Sequence, residues 1–151
     1  MGRRQARTPT QFSLPTTLSL LATAILGIAM LNSLPIADIL TAADLIQAYE
    51  AGQRNFEYLV LPGVDLKGAD FSYADLSGVN LNQANLRGAD LSYGNRTEAD
   101  LSQADLRGAM LIGTNLKTAI LQDTQLTTAD YDPDSTHFPS AFDPQDYGLR
   151  S

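Results

Sequence analysis

Three cationic side chains recur at a regular spacing and are the residues of this chain best suited to binding a charged partner. Lys67, Arg87 and Arg107 follow one another at intervals of twenty residues, each directly after a leucine. If the fold brings such positions together, the three charges form a strip that could bind an acidic protein partner. Like charges ~5 Å apart in water repel by only about 0.8 kcal/mol. The competing interpretation is a solvated surface whose charge is neutralised by Asp65 and Asp105.

Other reactive side chains are few. The sequence has one histidine, His137, and no cysteine or tryptophan. Thiolate chemistry and a disulfide framework are therefore excluded, and no acid–nucleophile arrangement lies near His137. The acidic residues match neither an EF-hand loop nor a glycine-rich nonapeptide loop. We therefore expect no catalytic site, no cofactor and no metal, and a partly exposed structural role for His137.

Charge divides the chain into two unequal parts. Arg3, Arg4 and Arg7 precede a stretch without charge that lasts until Asp38. The remainder carries 17 acidic and 7 basic residues, a net charge of 7 − 17 = −10. An acidic module argues against binding to nucleic acid or to an anionic membrane surface.

The segment between Pro15 and Pro35 is apolar enough to enter a membrane. As a helix, residues 16–34 would span ~28 Å, close to the ~30 Å hydrocarbon core of a bilayer. The arginines before it predict a cytoplasmic N-terminus and a non-cytoplasmic remainder, in the periplasm or a thylakoid lumen. We favour an uncleaved signal anchor. The alternatives are a signal peptide cleaved after "LTAA", which ends at Ala43, and a buried helix of a soluble domain.

A short amphipathic helix is expected next. Thr41 precedes it, with Asp44 three residues later as in a capping box, and Gly52 suits its end. Apolar residues at helical spacing define one face: Ala42, Leu45, Ile46 and Tyr49. Such a face must cover another apolar surface.

A large apolar residue recurs every five residues from Phe56 to Tyr131. The series continues through 61, 66, 71, 76, 81, 86, 91, 101, 106, 111, 116, 121 and 126, mostly with an alanine two residues earlier. A period of five suits neither a helix, on which each step turns by about 140°, nor a straight strand, on which odd steps alternate faces. A chain that turns a corner every five residues can direct all of them inward. The pattern therefore predicts a solenoid.

A longer repeat gives the number of corners in each coil. "VDLKGAD" at 64, "ANLRGAD" at 84 and "ADLRGAM" at 104 match at a spacing of twenty residues. Four pentads should therefore complete one square coil, and about four coils should stack over residues 54–133 at ~4.8 Å. Further columns are acidic (Asp70, Asp90, Asp130) and aromatic (Tyr73, Tyr93), and asparagines are expected to hydrogen-bond at turns (Asn80, Asn85, Asn95, Asn115).

The units "ADFSY", "ANLRG", "ADLSQ" and "ADLRG" resemble the pentapeptide-repeat family, whose consensus is A(D/N)LXX. The resemblance covers residues 54–133 and implies a right-handed quadrilateral β-helix. The exported layout is similar to that of members common in cyanobacteria. Because the family includes DNA mimics that protect gyrase, an acidic mimic acting on a topoisomerase is the alternative function. Such a mimic must be cytosolic, whereas this chain begins with an export signal.

The sequence thus predicts an all-β solenoid capped by a short α-helix and preceded by a hydrophobic helix. Its segments are a basic cytoplasmic N-terminus (1–13), a transmembrane signal anchor or signal peptide (14–37), a capping helix (38–53), the repeat domain (54–133) and a C-terminal capping tail (134–151). Phe138, Phe142 and Tyr147 in that tail should form a lid. We expect a non-enzymatic protein that presents a rigid surface to a protein partner, or has a structural role in the envelope or a lumen.

Arg96 interrupts the apolar series at a position that should face the core. Burying a bare guanidinium would cost several kcal/mol, so we expect its charge to escape. Gly94 and Asn95 tolerate left-handed backbone, which favours a bulged corner or a side chain that extends toward Glu98. One interpretation is a tolerated imperfection, for which Arg96→Leu should maintain or raise stability. The other is a local break that presents Arg96 and Glu98 to a partner.

Overall fold

The computed structural model describes residues 41–151. The predicted cytoplasmic N-terminus and the predicted signal anchor, residues 1–37, lie outside the described residues. From residue 41 onward, the chain has no helix with the length and apolarity that a bilayer crossing requires.

One α-helix, α1 (Ala42–Glu50), precedes the repeat. The hydroxyl oxygen of Thr41 accepts a hydrogen bond from the backbone N–H of Asp44 at 3.2 Å, and the hydroxyl donates to the Asp44 carboxylate at 2.6 Å. The backbone reaches φ 97° at Gly52, beyond the helix end. The predicted N-terminal cap and the predicted stop are both confirmed.

The apolar face of α1 covers the first coil of the repeat. Leu45 and Ala48 are fully buried. Tyr49 packs edge-on against Phe71 with ring centroids 5.3 Å apart, and its hydroxyl donates to the carbonyl of Ser72 at 2.9 Å. The helix is thus fastened to the repeat by both apolar and polar contacts.

The repeat forms a stack in which residues twenty apart are paired. Consecutive parallel bridges run from Asn55–Asp75 to Met110–Asp130, one for each pentad and each at this spacing. The predicted coil of four pentads is confirmed. We name the coils 1 (54–73), 2 (74–93), 3 (94–113) and 4 (114–133). Their successive pentads form faces 1 to 4, so face 1 begins at 54, 74, 94 and 114.

The core is the column of central pentad residues and of the small residues two positions before them. Central residues are at most 5% exposed from Phe56 to Leu116, and Leu126 is also buried. Leu121 and Tyr131, in coil 4, are only partly buried. The core is therefore shielded from solvent along most of its length and is more exposed at its C-terminal end.

Two local features recur at the corners: a residue with positive φ and a side-chain-to-backbone hydrogen bond. The last residue of every pentad from Tyr58 to Thr128, except Thr118, has a positive φ of 56–68°. In eleven pentads the Asp or Asn before the central residue accepts a hydrogen bond from the backbone N–H two residues later. These residues are Asn55, Asp65, Asp70, Asp75, Asn80, Asn85, Asp90, Asn95, Asp100, Asp105 and Asn115. The turn role predicted for the asparagines is confirmed, and it is shared by most aspartates of the repeat.

The C-terminal tail adds part of a fifth coil as well as a lid. His137 bridges Asn115, at a spacing of 22 residues, and Arg150 bridges Asp130. Phe138 and Phe142 pack against the core, and a 3-10 helix spans Pro144–Tyr147. The sequence indicated the lid but not the two additional rungs.

Candidate interaction surface

The predicted basic strip forms on face 3. The backbone N–H of Gly68 donates to the carbonyl of Arg87 at 2.9 Å, and that of Gly88 donates to the carbonyl of Arg107 at 3.1 Å. Lys67, Arg87 and Arg107 therefore lie on three successive coils at the same corner.

Asp105 neutralises one end of this strip. Nε and Nη2 of Arg107 donate to its two carboxylate oxygens at 2.8 and 2.6 Å, and Nη1 of Arg87 lies 3.8 Å from Oδ2. The hydrogen bond from the Arg107 side chain holds the pKa of Asp105 below its usual value. Lys67 forms no ion pair with any residue from 41 onward. The end of the strip near α1 is thus the part whose charge remains available.

Arg96 lies inside the stack, so the prediction that its charge escapes toward Glu98 is wrong. Its side chain is 1% exposed. Nη1 donates to the carbonyl of Ala74 at 2.7 Å and Nη2 to the carbonyl of Phe71 at 2.9 Å. Glu98 is an exposed corner residue whose backbone N–H donates to Thr118 Oγ1 at 2.9 Å. The structure does not bring Arg96 and Glu98 together as one exposed pair.

Gly94 explains why the guanidinium can be buried. It occupies the slot of the small core residue two positions before Arg96, and its φ is not positive. A Cβ atom there would overlap Nη1 of Arg96 and approach the carbonyl oxygen of Ala74. Gly94 therefore serves to leave room for the guanidinium and not to bend the corner.

The charge of Arg96 is retained at neutral pH. Burial lowers the pKa of Arg96 to about 10, opposed by the nearby carboxylates of Asp75 and Asp90. Its Nε atom is buried without a hydrogen-bond partner among the described residues. The site is therefore a buried cation with incomplete hydrogen bonding.

Buried hydroxyls show that inward-facing carbonyls are a regular feature of the stack. The hydroxyls of Thr114, Thr124 and Thr136 donate to the carbonyls of Leu91, Leu101 and Leu111 at 2.7–2.8 Å. Arg96 bonds to main-chain carbonyls of the preceding coils in the same way. Sequence reasoning missed these bonds, although threonine at an alanine position was a visible indication.

Face 4 carries aromatic and acidic columns. Tyr73 and Tyr93 stack with ring centroids 5.1 Å apart, and both are more than half exposed. Asp90 continues the column of Asp70, whose backbone hydrogen bond from Ser72 helps to lower its pKa. The predicted aromatic ladder is confirmed.

The repeat is similar to repeats of known proteins. The family model for pentapeptide repeats matches residues 55–88 and 84–123 in eight copies. A solved pentapeptide repeat protein from Nostoc PCC 7120 is 45% identical, with 74% of this chain and 96% of that chain covered and a TM-score of 0.50. A pentapeptide repeat protein from the Arabidopsis thaliana thylakoid lumen is 27% identical, with 63% and 59% covered and a TM-score of 0.54.

Other comparisons are weaker. QnrB1, a plasmid-mediated fluoroquinolone resistance protein, is 23% identical over 51% of this chain and 37% of its own, with a TM-score of 0.39. No curated protein matches the chain.

Proposed function

The chain belongs to the pentapeptide-repeat family, and we propose that it is a non-enzymatic solenoid, anchored in or exported across a membrane, that presents a rigid surface to a protein partner. The observation that carries the proposal is the unbroken series of bridges at twenty-residue spacing. Because the backbone of each coil is hydrogen-bonded to its neighbour, the backbone beneath a surface column has little conformational entropy to lose on binding.

The basic strip on face 3 is the proposed contact surface. Its occupant is an acidic segment of the partner, since Lys67 forms no ion pair among residues 41–151 and Arg87 approaches Asp105 only to 3.8 Å. Rim charges of this kind act mainly on association rate and specificity. Binding should therefore weaken as the salt concentration increases.

The apolar segment at 14–37 supports the proposed location. As a signal anchor it would hold the N-terminus in the cytoplasm and the repeat in the periplasm or a thylakoid lumen. After cleavage, the repeat would be released on that same side. In the anchored form, intact mass of the native protein should include residues 1–34, and washing membranes with high salt should not extract it. A soluble form that begins near Asp44 would exclude the anchor and leave export alone.

Reversal of the strip charges tests the partner. Lys67→Glu with Arg87→Glu should reduce recovery of cross-linked partners from native membranes at least tenfold. Lys117→Glu, an exposed cation on face 1, is the matched control and should retain them. Equal recovery by all forms would contradict the strip as the contact surface.

The alternative, an acidic DNA mimic acting on a topoisomerase, has less support. Asp65, Asp75 and Asp100 each accept a backbone hydrogen bond at their own turn, so their presence follows from the construction of the coil. Inhibition of gyrase supercoiling by the purified protein would favour the alternative.

A further inference from the structure

The C-terminal end of the stack is closed on faces 1 and 4. On face 1, the N–H of Leu116 donates to the carbonyl of His137 at 2.6 Å and the N–H of His137 to the carbonyl of Thr114 at 2.9 Å. Arg150 pairs in the same way with the edge of coil 4 on face 4. Residues outside the repeat thus add rungs to this edge by ordinary parallel pairing.

Within residues 41–151, face 2 has the same edge without a rung above it. The N–H of Leu121 and the carbonyl of Ala119 are the equivalents of the groups that His137 engages on face 1, and neither has a backbone partner among residues 41–151. The N–H of Asp123 is also without one. Ile120 is 51% exposed, and Leu121 is only partly buried against the core. An edge with free donors, a free acceptor and exposed apolar side chains is a template for strand addition.

The tail flanks this edge. Between Pro139 and Tyr147 it leaves the coil and lines, with the segment from Ala119 to Gln122, an open, shallow cleft of about 400 Å³. Phe142 and Tyr147 stack along the tail's side of the cleft with ring centroids 4.4 Å apart. The cleft therefore combines backbone hydrogen-bonding groups on one side with aromatic surface on the other.

We propose that this cleft accepts an extended segment of a partner protein, which adds one parallel rung to face 2. A carbonyl of the segment would accept from Leu121 N–H and an N–H of the segment would donate to the Ala119 carbonyl, as His137 does on face 1. The segment should carry a small residue two positions before a large apolar one, because the rung beneath has this pattern at Ala119 and Leu121. Such pairing draws affinity from the main chain and specificity from the alternate side chains.

The shape of the cleft favours a single extended strand over a second copy of this chain. In a second copy the same edge is flanked by its own Phe142 and Tyr147, so two edges would have to accommodate both tails in order to pair, whereas a single strand meets only one. The inference rests on the proposed function only in assigning the occupant to a partner protein, and it is independent of the basic strip.

A peptide with the sequence EADLSQA, residues 98–104 of this chain, is a suitable probe. In the stack this segment pairs with the opposite side of the same rung, through Leu101 N–H to the Ile120 carbonyl and Ile120 N–H to the Ala99 carbonyl. Added at millimolar concentration to the full-length chain in mild detergent, it should slow hydrogen exchange of the Leu121 and Asp123 amides at least tenfold.

The controls lie within the same protein. The amides of Leu116 and Tyr131 are already bonded to the tail and should not change. Ala141→Trp, which fills the cleft, should abolish the protection. Ser140→Trp, at the neighbouring exposed residue outside the cleft wall, should retain it.

Three results would overturn the proposal. The first is unchanged exchange at Leu121 and Asp123, and the second is protection that survives Ala141→Trp. The third is protection of the same amides without peptide. If that protection rises with protein concentration, a second copy occupies the edge. If it does not depend on concentration, residues 1–40 of this chain occupy it. If the peptide does not protect these amides but reversal of the strip charges still reduces recovery of partners, the proposed function remains supported and only the strand-addition site is excluded.

Discussion

At the scale of single residues, Gly94 and Arg96 are a coupled pair. The guanidinium occupies the volume that a Cβ at position 94 would take, so each residue is tolerated because of the other. Two charge-assisted hydrogen bonds to carbonyls offset part of the desolvation of the charge, while Nε remains without a partner. Replacing buried ionic groups with well-packed apolar ones is often neutral or stabilising, by ~1–4 kcal/mol.

A double-mutant cycle should measure this coupling. Gly94→Ala alone should destabilise the protein by more than about 2 kcal/mol, because Cβ collides with the guanidinium. Gly94→Ala with Arg96→Leu removes the clash with the guanidinium and should recover most of the lost stability, although the added Cβ still lies 2.6 Å from the Ala74 carbonyl oxygen and the backbone must shift to admit it. The free energies are measured by denaturant unfolding. Additive effects of the two changes would contradict the coupling.

The burial of Arg96 could not be predicted from its own identity. A guanidinium at a core position is normally assumed to reach solvent, and Glu98 offered an apparent partner. The missing information was geometric, since carbonyls of Phe71 and Ala74 face the interior within its reach. The replacement of alanine by glycine two residues earlier was the available indication.

Turn aspartates should make the protein sensitive to acid. Hydrogen bonds lower the pKa of Asp70 and Asp105 from the ordinary value of 3.8. Since the unfolded chain then binds protons before the folded one, this stabilisation is complete above about pH 4 and is lost as the pH falls through the folded-state values. The melting temperature should be nearly constant from pH 7 to 5 and fall below pH 4.

Asparagine substitutions test that assignment. Asp70→Asn keeps an oxygen that can accept from Ser72 N–H but cannot titrate, so it should reduce the fall in melting temperature between pH 5 and 3. Asp123→Asn, at an exposed corner, is the matched control and should not alter it. An unchanged acid response in Asp70→Asn would assign the sensitivity to other carboxylates.

At the scale of elements, α1 protects the first coil. Leu45→Ala removes a fully buried side chain and should cost ~2–5 kcal/mol. Gln47→Ala, on the exposed side of the same helix, should change the free energy of unfolding by less than about 0.5 kcal/mol. Denaturant unfolding of both variants measures the difference. Equal, small effects would mean that α1 is not needed to cover coil 1.

Some structural elements could be predicted from the sequence and others could not. The coil followed from the twenty-residue repeat, because only one circuit length brings equivalent residues into register. The helix cap followed from Thr41, Asp44 and Gly52. The additional rungs in the tail could not be predicted. His137 pairs with a residue 22 positions earlier instead of 20, and Arg150 follows a segment without pentads. Pairing there depends on backbone geometry that leaves no periodic pattern.

At the scale of the whole molecule, the repeat is a one-dimensional stack with distinct faces. Each coil contacts mainly its neighbours, so stability is close to a sum of local terms and coil-to-coil terms. Face 3 carries three cations and two aspartates, whereas face 4 of the repeat carries Asp70, Asp90, Asp130 and Asp132. The one cation on face 4 among the described residues, Arg150 of the added rung, is paired with Asp130 at 2.9 Å. The rigid stack keeps these opposite charges on adjacent faces, which would orient a partner that docks on the proposed surface.

The stacking itself can be tested by cross-linking, because the natural chain contains no cysteine. Positions 87 and 107 occupy equivalent places on adjacent coils, where a spacing of ~4.8 Å falls within the range of Cα separations, ~4.4–6.8 Å, that disulfides accept. Arg87→Cys with Arg107→Cys should therefore oxidise readily to an intramolecular disulfide. Arg87→Cys with Ser102→Cys, on adjacent faces, should react far more slowly. Lys67→Cys with Arg107→Cys, two coils apart at ~9.6 Å, should remain reduced. Mass spectrometry of free thiols after mild oxidation distinguishes the three, and faster reaction of the 87–102 pair would contradict the four-pentad coil.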